Sequence, residues 1–124
     1  MQKKKGIDFI ICDHHVPDDI LPPAVAILNA KRADNTYPYD HLSGCGVGFK
    51  FMQAFALNNG IEFHQLTPLL DLVAVSVASD IVPIMGENRV LTHHGLKQLN
   101  SNPSVGLKAI IDVCGLSAKR NYRR

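Results

Sequence analysis

Three prolines fall within seven residues: Pro17, Pro22 and Pro23 of VPDDILPPA (16–24). Proline lacks the amide proton that a helix needs and clashes with the preceding turn, so this stretch is a loop. It separates two short apolar runs. GIDFIIC (6–12) is β-branched and aromatic and reads as a buried strand. AVAILNA (24–30) is nearly all apolar, the pattern of a strand covered on both faces.

The character changes after KRADNTYPYDHLSG (31–44), a polar, turn-rich surface loop. GVGFKFMQAFALNN (46–59) places Val47, Phe51, Ala54, Phe55 and Leu57 at mostly helical spacing and is closed by Gly60. LTPLLDLVAVSVASD (66–80) predicts a helix with Thr67 as N-cap and Pro68 at its first position. It is apolar nearly all round, so it should be buried. ENRVLTHHGLKQLN (87–100) and SVGLKAIIDVCG (104–115) are two further helical segments, the second capped by Ser104 and stopped by Gly115. The expected fold is α/β, part of a parallel-sheet domain, with about two short strands followed by about four helices. It divides into a strand region (6–30), a helical region (44–115) and a basic tail (116–124). Two parallel strands make a poor sheet, so earlier strands are expected to be missing.

At 124 residues with 46% apolar composition, the chain is one ordinary domain able to form a core. A net charge of +2 excludes a strong polyanion-binding field over the whole molecule. No apolar run approaches a membrane span, and the one behind the N-terminal lysines, broken by Asp8, stops at Asp13, too short for a signal peptide. A soluble, cytoplasmic protein without a membrane partner is expected. The three cysteines form no CxxC, which argues against a zinc knuckle or redox motif. Cys12 and Cys114 lie in apolar surroundings and are expected to be buried, with no structural disulfide.

Chemistry concentrates where the first strand ends. In open α/β sheets ligands bind outside the carboxyl ends of the strands, and Asp13-His14-His15 stands there. Imidazole and carboxylate suit manganese, iron or zinc. Adjacent histidines at a bend diverge, so one could hold a metal while the other faces substrate; a solvated strand-end turn is the competing reading. Asp80 ends a strongly apolar helix, where the macrodipole disfavours a carboxylate and a bound cation would compensate. Asp71 lies nine residues earlier, on the opposite face at about 100° per residue, and is therefore expected to be structural.

Together GIDFIICDHHVPDDILPPAVAILNAK, LSGCGVGFKF, LDLVAVSVASDIVPIMGENRVLTHHGLKQLN and SVGLKAII resemble the DHH phosphoesterase superfamily, and within it the RecJ-type exonucleases, over roughly residues 6–114. The resemblance implies metal-dependent phosphodiester hydrolysis by a 5′→3′ single-stranded-DNA exonuclease of DNA repair and recombination. It implies His14 and Asp80 as metal ligands, His15 at the reacting phosphate, and Asp13 orienting an imidazole. It also implies two Mn²⁺ (or Mg²⁺) ions and single-stranded DNA as partner. The family's upstream Asp-x-Asp motif has no counterpart here. The chain is therefore expected to be the second half of a catalytic domain, inactive alone. The alternatives are another branch of the superfamily (an oligoribonuclease, cyclic-dinucleotide phosphodiesterase or pyrophosphatase) or a non-catalytic metal-binding fragment. SDIVPIMGENR, where those branches continue SDT, favours the RecJ type.

Weaker candidates surround this set. GCGVG (44–48) offers Gly46 and Gly48 either for close packing or for a phosphate at a helix start. Arg89 of GENR pairs with Glu87 or with a phosphate. His93-His94 are helix neighbours that cannot chelate together, and His41 and His64 are expected in solvent. Lys119, Arg120, Tyr122, Arg123 and Arg124 mix basic and aromatic groups in a manner suited to single-stranded DNA or to an exposed linker.

Overall fold

The loop that proline keeps from being helical returns the chain to the start of a parallel partner strand. A computed structural model describes residues 6–117. In it β1 (Ile10–Cys12) and β2 (Ala26–Leu28) pair in parallel, with Ile10 opposite Ala26 and Cys12 opposite Leu28. Val25 N–H to the Phe9 carbonyl (2.8 Å) and Asp13 N–H to the Leu28 carbonyl (3.0 Å) extend the ladder by one rung at each end. The second rung places Asp13 immediately beyond the strand. The expected burial of both strands is not found: Ile10 is 48% exposed, Val25 67%, and Ile7 and Phe9 also face solvent. Parallel strands are buried by layers on both faces, and here α1 (Gly44–Asn58) packs against β1 from one side. Cys12 and Cys114, expected inside, are exposed along with Cys45, and all three are free thiols. Cys12 shares the open strand, and Cys114 caps the surface helix α4 (Val105–Val113).

Helix α1 begins two residues before its apolar pattern because Ser43, fully buried, caps it by accepting the Gly46 N–H at 3.2 Å. It stops where Gly60 turns left-handed, at φ +66°. Helix α2 (Leu70–Ser79) is shorter than its apolar run. Thr67 and Pro68 lie instead in a 3₁₀ turn (Thr67–Leu69) that follows another (Phe63–Gln65). The Thr67 hydroxyl donates to the His64 carbonyl (2.7 Å), so it does not cap α2. Helices α3 (Gly86–Ser101) and α4 follow. Ser104 precedes α4 without a side-chain cap, and Gly115 ends it at φ +65°. No helix among the described residues is long and apolar enough to cross a membrane.

The core gathers Phe49 and Ala56 of α1, Leu66, and Leu70, Val73 and Val77 of α2, flanked by Ile61, Val82 and Leu91. Helix α2 is buried on the sides it turns to α1 and α3, but Leu72 and Val75 are exposed, so the expectation of burial all round is corrected to part of its circumference. Asp71 is fully buried and structural: its carboxylate accepts the N–H groups of Leu72 and Ser104, each at 2.6 Å, tying the start of α4 to α2. Fully buried Asn88 donates to the carbonyls of His41 (2.7 Å) and Pro83 (3.0 Å), which holds the loop before α1 against α3. Beyond α2, Ile81 takes a left-handed conformation at φ +54°.

Gly95 is where α3 rests on α2. A Cβ there would lie 2.2 Å from the Leu70 carbonyl oxygen and 2.7 Å from Ala74 Cβ. Backbone cannot retreat as a flexible side chain can, so Gly95→Ala forces the helices apart. We expect a loss of about 2 kcal/mol or more, read as a lower urea midpoint at unchanged slope.

Candidate metal centre

The strand end determines what Asp13 can reach. Once the ladder ends, its Oδ1 accepts the His14 N–H (2.7 Å), the His15 N–H (3.3 Å) and the His15 ring at Nδ1 (2.7 Å). A carboxylate only accepts, so the proton of that last bond sits on His15 Nδ1. The His15 hydrogen bond, chiefly, holds the Asp13 carboxyl below the usual carboxylate range; partial burial opposes it, and the two backbone N–H groups assist. The His15 side chain is 77% exposed. Its main chain is fixed by buried Asn29 at the end of β2, which donates to the His15 carbonyl (2.8 Å) while accepting the Lys31 N–H (2.9 Å).

His14 turns the other way. Its side chain is only 17% exposed, and Nε2 lies 3.6 Å from Oδ2 of Asp80. The two imidazole rings tilt 49° apart, with centroids 4.4 Å from each other. Asp80 caps the C-terminus of α2, where the dipole penalty applies. The N-terminus of α1 offsets it directly: Oδ2 accepts the Gly44 N–H at 3.1 Å, and the Ser76 hydroxyl at 3.0 Å. Opposite helix ends thus meet at one carboxylate, so a helix start supplies a positive partner where the sequence alone suggests a cation.

This contact also uses up the start of α1. Gly44 N–H goes to Asp80, Cys45 N–H to Ser76 Oγ (3.3 Å), Gly46 N–H to Ser43 Oγ and Val47 N–H to the Ser43 carbonyl (3.0 Å). The Gly46 amide is therefore occupied, and buried Gly46 packs on Leu42 and Ser43. Gly48 lies inside α1, with open space beside it. At Gly44 a Cβ would make ordinary contact with His14 Cδ2, 3.5 Å away, so the start of α1 packs directly beside the imidazole.

The donor set fits a divalent ion. Asp13, His14 and His15 each offer one ligand atom within 4.8 Å of the others. Ligand atoms about 2.0–2.2 Å from an ion stand roughly 3–3.5 Å apart, close to the separation of His14 from Asp80. The remaining candidates lie elsewhere. Arg89 is exposed on α3 and is not paired with Glu87, whose carboxylate is taken by Lys50 Nζ (3.1 Å) and the Tyr37 hydroxyl. His93 and His94 are exposed with rings at 83°, and His41 and His64 are exposed. The basic residues at 119–124 lie outside the described residues. Ser43, Ser76 and Asn29 also belong to this site, although no motif in the sequence points to them. The signals available are local: a serine one turn before Asp80 on an apolar helix, and an asparagine ending an apolar run.

Replacing His15 by alanine removes the main cause of Asp13's depressed pKa. A ¹³C carboxyl titration should show it rising toward the ordinary value of about 3.9. A depressed folded-state pKa contributes stability that is present above the unfolded value and lost as pH falls through the folded one. The wild type should therefore hold its turn to lower pH than His15→Ala does.

The family model described as "DHH family, N-terminal domain" matches residues 1–77. The single-stranded-DNA-specific exonuclease RecJ of Escherichia coli (strain K12) is 37% identical over 125 residues, covering 93% of this chain and 22% of that protein. Its namesake from Bacillus subtilis (strain 168) is 39% identical over 113 residues, covering 91% and 14%. Among solved structures, a crystal structure of exonuclease RecJ bound to manganese superimposes with a TM-score of 0.74 at 28% identity, covering 95% of this chain and 29% of that one. The chain thus spans 14% to 22% of the length of these two curated relatives.

Proposed function

The chain belongs to the DHH family, and from that premise we propose that it supplies His14 and Asp80 as metal ligands to a phosphodiester-hydrolysing site. The whole site, on this reading, is that of a RecJ-like 5′→3′ single-stranded-DNA exonuclease serving DNA repair and recombination in the cytoplasm. The observation that carries it is the 3.6 Å approach of His14 Nε2 to Asp80 Oδ2. The fold brings together two donors far apart in sequence, and Asp80 lies beyond the segment that the family model matches. The RecJ structure with bound manganese supports Mn²⁺ as the ion, with Mg²⁺ as its substitute.

Bound there, the ion would supply Lewis acidity toward the phosphodiester. The chain's own residues divide the other tasks. His14, mostly shielded from water, offers its Nε2 lone pair. His15 extends into solvent with Nδ1 bonded to Asp13. Donating from Nε2 to a phosphate oxygen requires a second ring proton, and the Asp13 carboxylate provides the counter-charge for it. A complete site with two ions needs further carboxylates, and the chain has no Asp-x-Asp to provide them.

Calorimetric titration with Mn²⁺ tests the reading. The chain should take up one weakly held ion, and both His14→Ala and Asp80→Asn should lose it. Two tightly held ions would show that the site is complete and the division of labour wrong. Residues 1–124 should leave single-stranded DNA undigested; brisk Mn²⁺-dependent digestion, abolished by His15→Ala, would contradict the proposal.

A further inference from the structure

We propose that Ser76 is a positioning residue for Asp80, working with the Gly44 amide to fix Oδ2, the carboxylate oxygen that faces His14. This rests on the reading of His14 and Asp80 as metal ligands. Ser76 is 8% exposed and stands one helical turn before Asp80. A helical serine ordinarily returns its proton to the carbonyl four residues back. Here the hydroxyl donates forward to Asp80 Oδ2 (3.0 Å) and accepts the Cys45 N–H (3.3 Å). A hydroxyl has a single proton, so the Cys45 amide, by engaging the oxygen, directs that proton to the carboxylate.

The Gly44 N–H ends on the same Oδ2 at 3.1 Å. Among the described residues, Oδ1 accepts no hydrogen bond. The carboxylate is thus restrained through Oδ2, the oxygen that lies 3.6 Å from His14 Nε2. Without the grip, a side chain already about a quarter exposed could rotate toward water and away from His14. Partners behind metal ligands typically change metal affinity about 10- to 100-fold when removed.

The test compares the full chain with Ser76→Ala, Ser76→Thr and His14→Ala, following Mn²⁺-induced broadening of the histidine ring resonances. Ser76→Ala should need about tenfold more Mn²⁺ for equal broadening, and Ser76→Thr, which keeps the hydroxyl, should recover most of the affinity. In the metal-free chain, Ser76→Ala should shift the Gly44 and Cys45 amide resonances while the core resonances stay in place. If Ser76→Ala binds Mn²⁺ like the wild type while His14→Ala does not, Ser76 has no such role and the ligand reading stands. If both serine variants weaken binding equally and melt lower, the role is structural and the proposal fails. If the wild type and His14→Ala respond alike, or neither responds, the ligand reading falls and takes the proposal with it.

Discussion

At Asp80 the negative end of one helix meets the positive end of another, and a single carboxylate oxygen joins them. Oδ2 accepts the first amide of α1 and the Ser76 hydroxyl of α2. Each helix end alone carries an electrostatic liability; brought together through an anion, the two offset each other. The rest of the arrangement follows. Helix α1 packs on β1, so its start lies beside the strand end, and His14, just beyond that end, comes within reach of Asp80. The loop before α1 is held to α3 through Asn88, which sets the height at which α1 begins.

This contact was only half legible in the sequence. Asp80 at the end of an apolar helix needs a positive partner, but a sequence does not say which helix start lies nearby, and a cation is the partner that the residue alone suggests. The order of elements was legible because the proline cluster, the apolar runs and the glycine stops at Gly60 and Gly115 act locally. The placing of Asp71 on the face opposite Asp80 likewise follows from helical geometry alone. What escaped was settled by tertiary competition for hydrogen bonds. Thr67 had the composition of a cap, yet its hydroxyl was claimed by the His64 carbonyl. Ser43 ends a polar, turn-rich stretch with the composition of a loop, yet it caps the start of α1. The strands and Cys12 are apolar yet exposed, because apolarity reports what a residue could cover rather than what lies over it.

The three residues after β1 differ in role through environment rather than identity. Asp13 and Asp80 are both carboxylates beside a histidine, but Asp13 turns back on its own backbone while Asp80 reaches across to another element. His15 is held by its Nδ1 and projects into water; His14 is shielded and faces Asp80. A turn of adjacent like residues thus presents one imidazole inward and one outward. Asn29 and Asp13 fix its backbone from opposite sides.

Ile81 bears on how long this geometry persists. A β-branched residue at φ +54° forgoes about 1–2 kcal/mol that glycine would not, and most of its side chain lies in water without compensating contacts. Transient fraying of the last turn of α2 releases that strain, so local opening there is favoured over opening of the same turn closed by glycine. Asp80 adjoins the point of release. Amide exchange through residues 79–82 would therefore run ahead of exchange in the Val73–Val77 core, and the lifetime of the carboxylate's orientation would be set by this turn rather than by global unfolding.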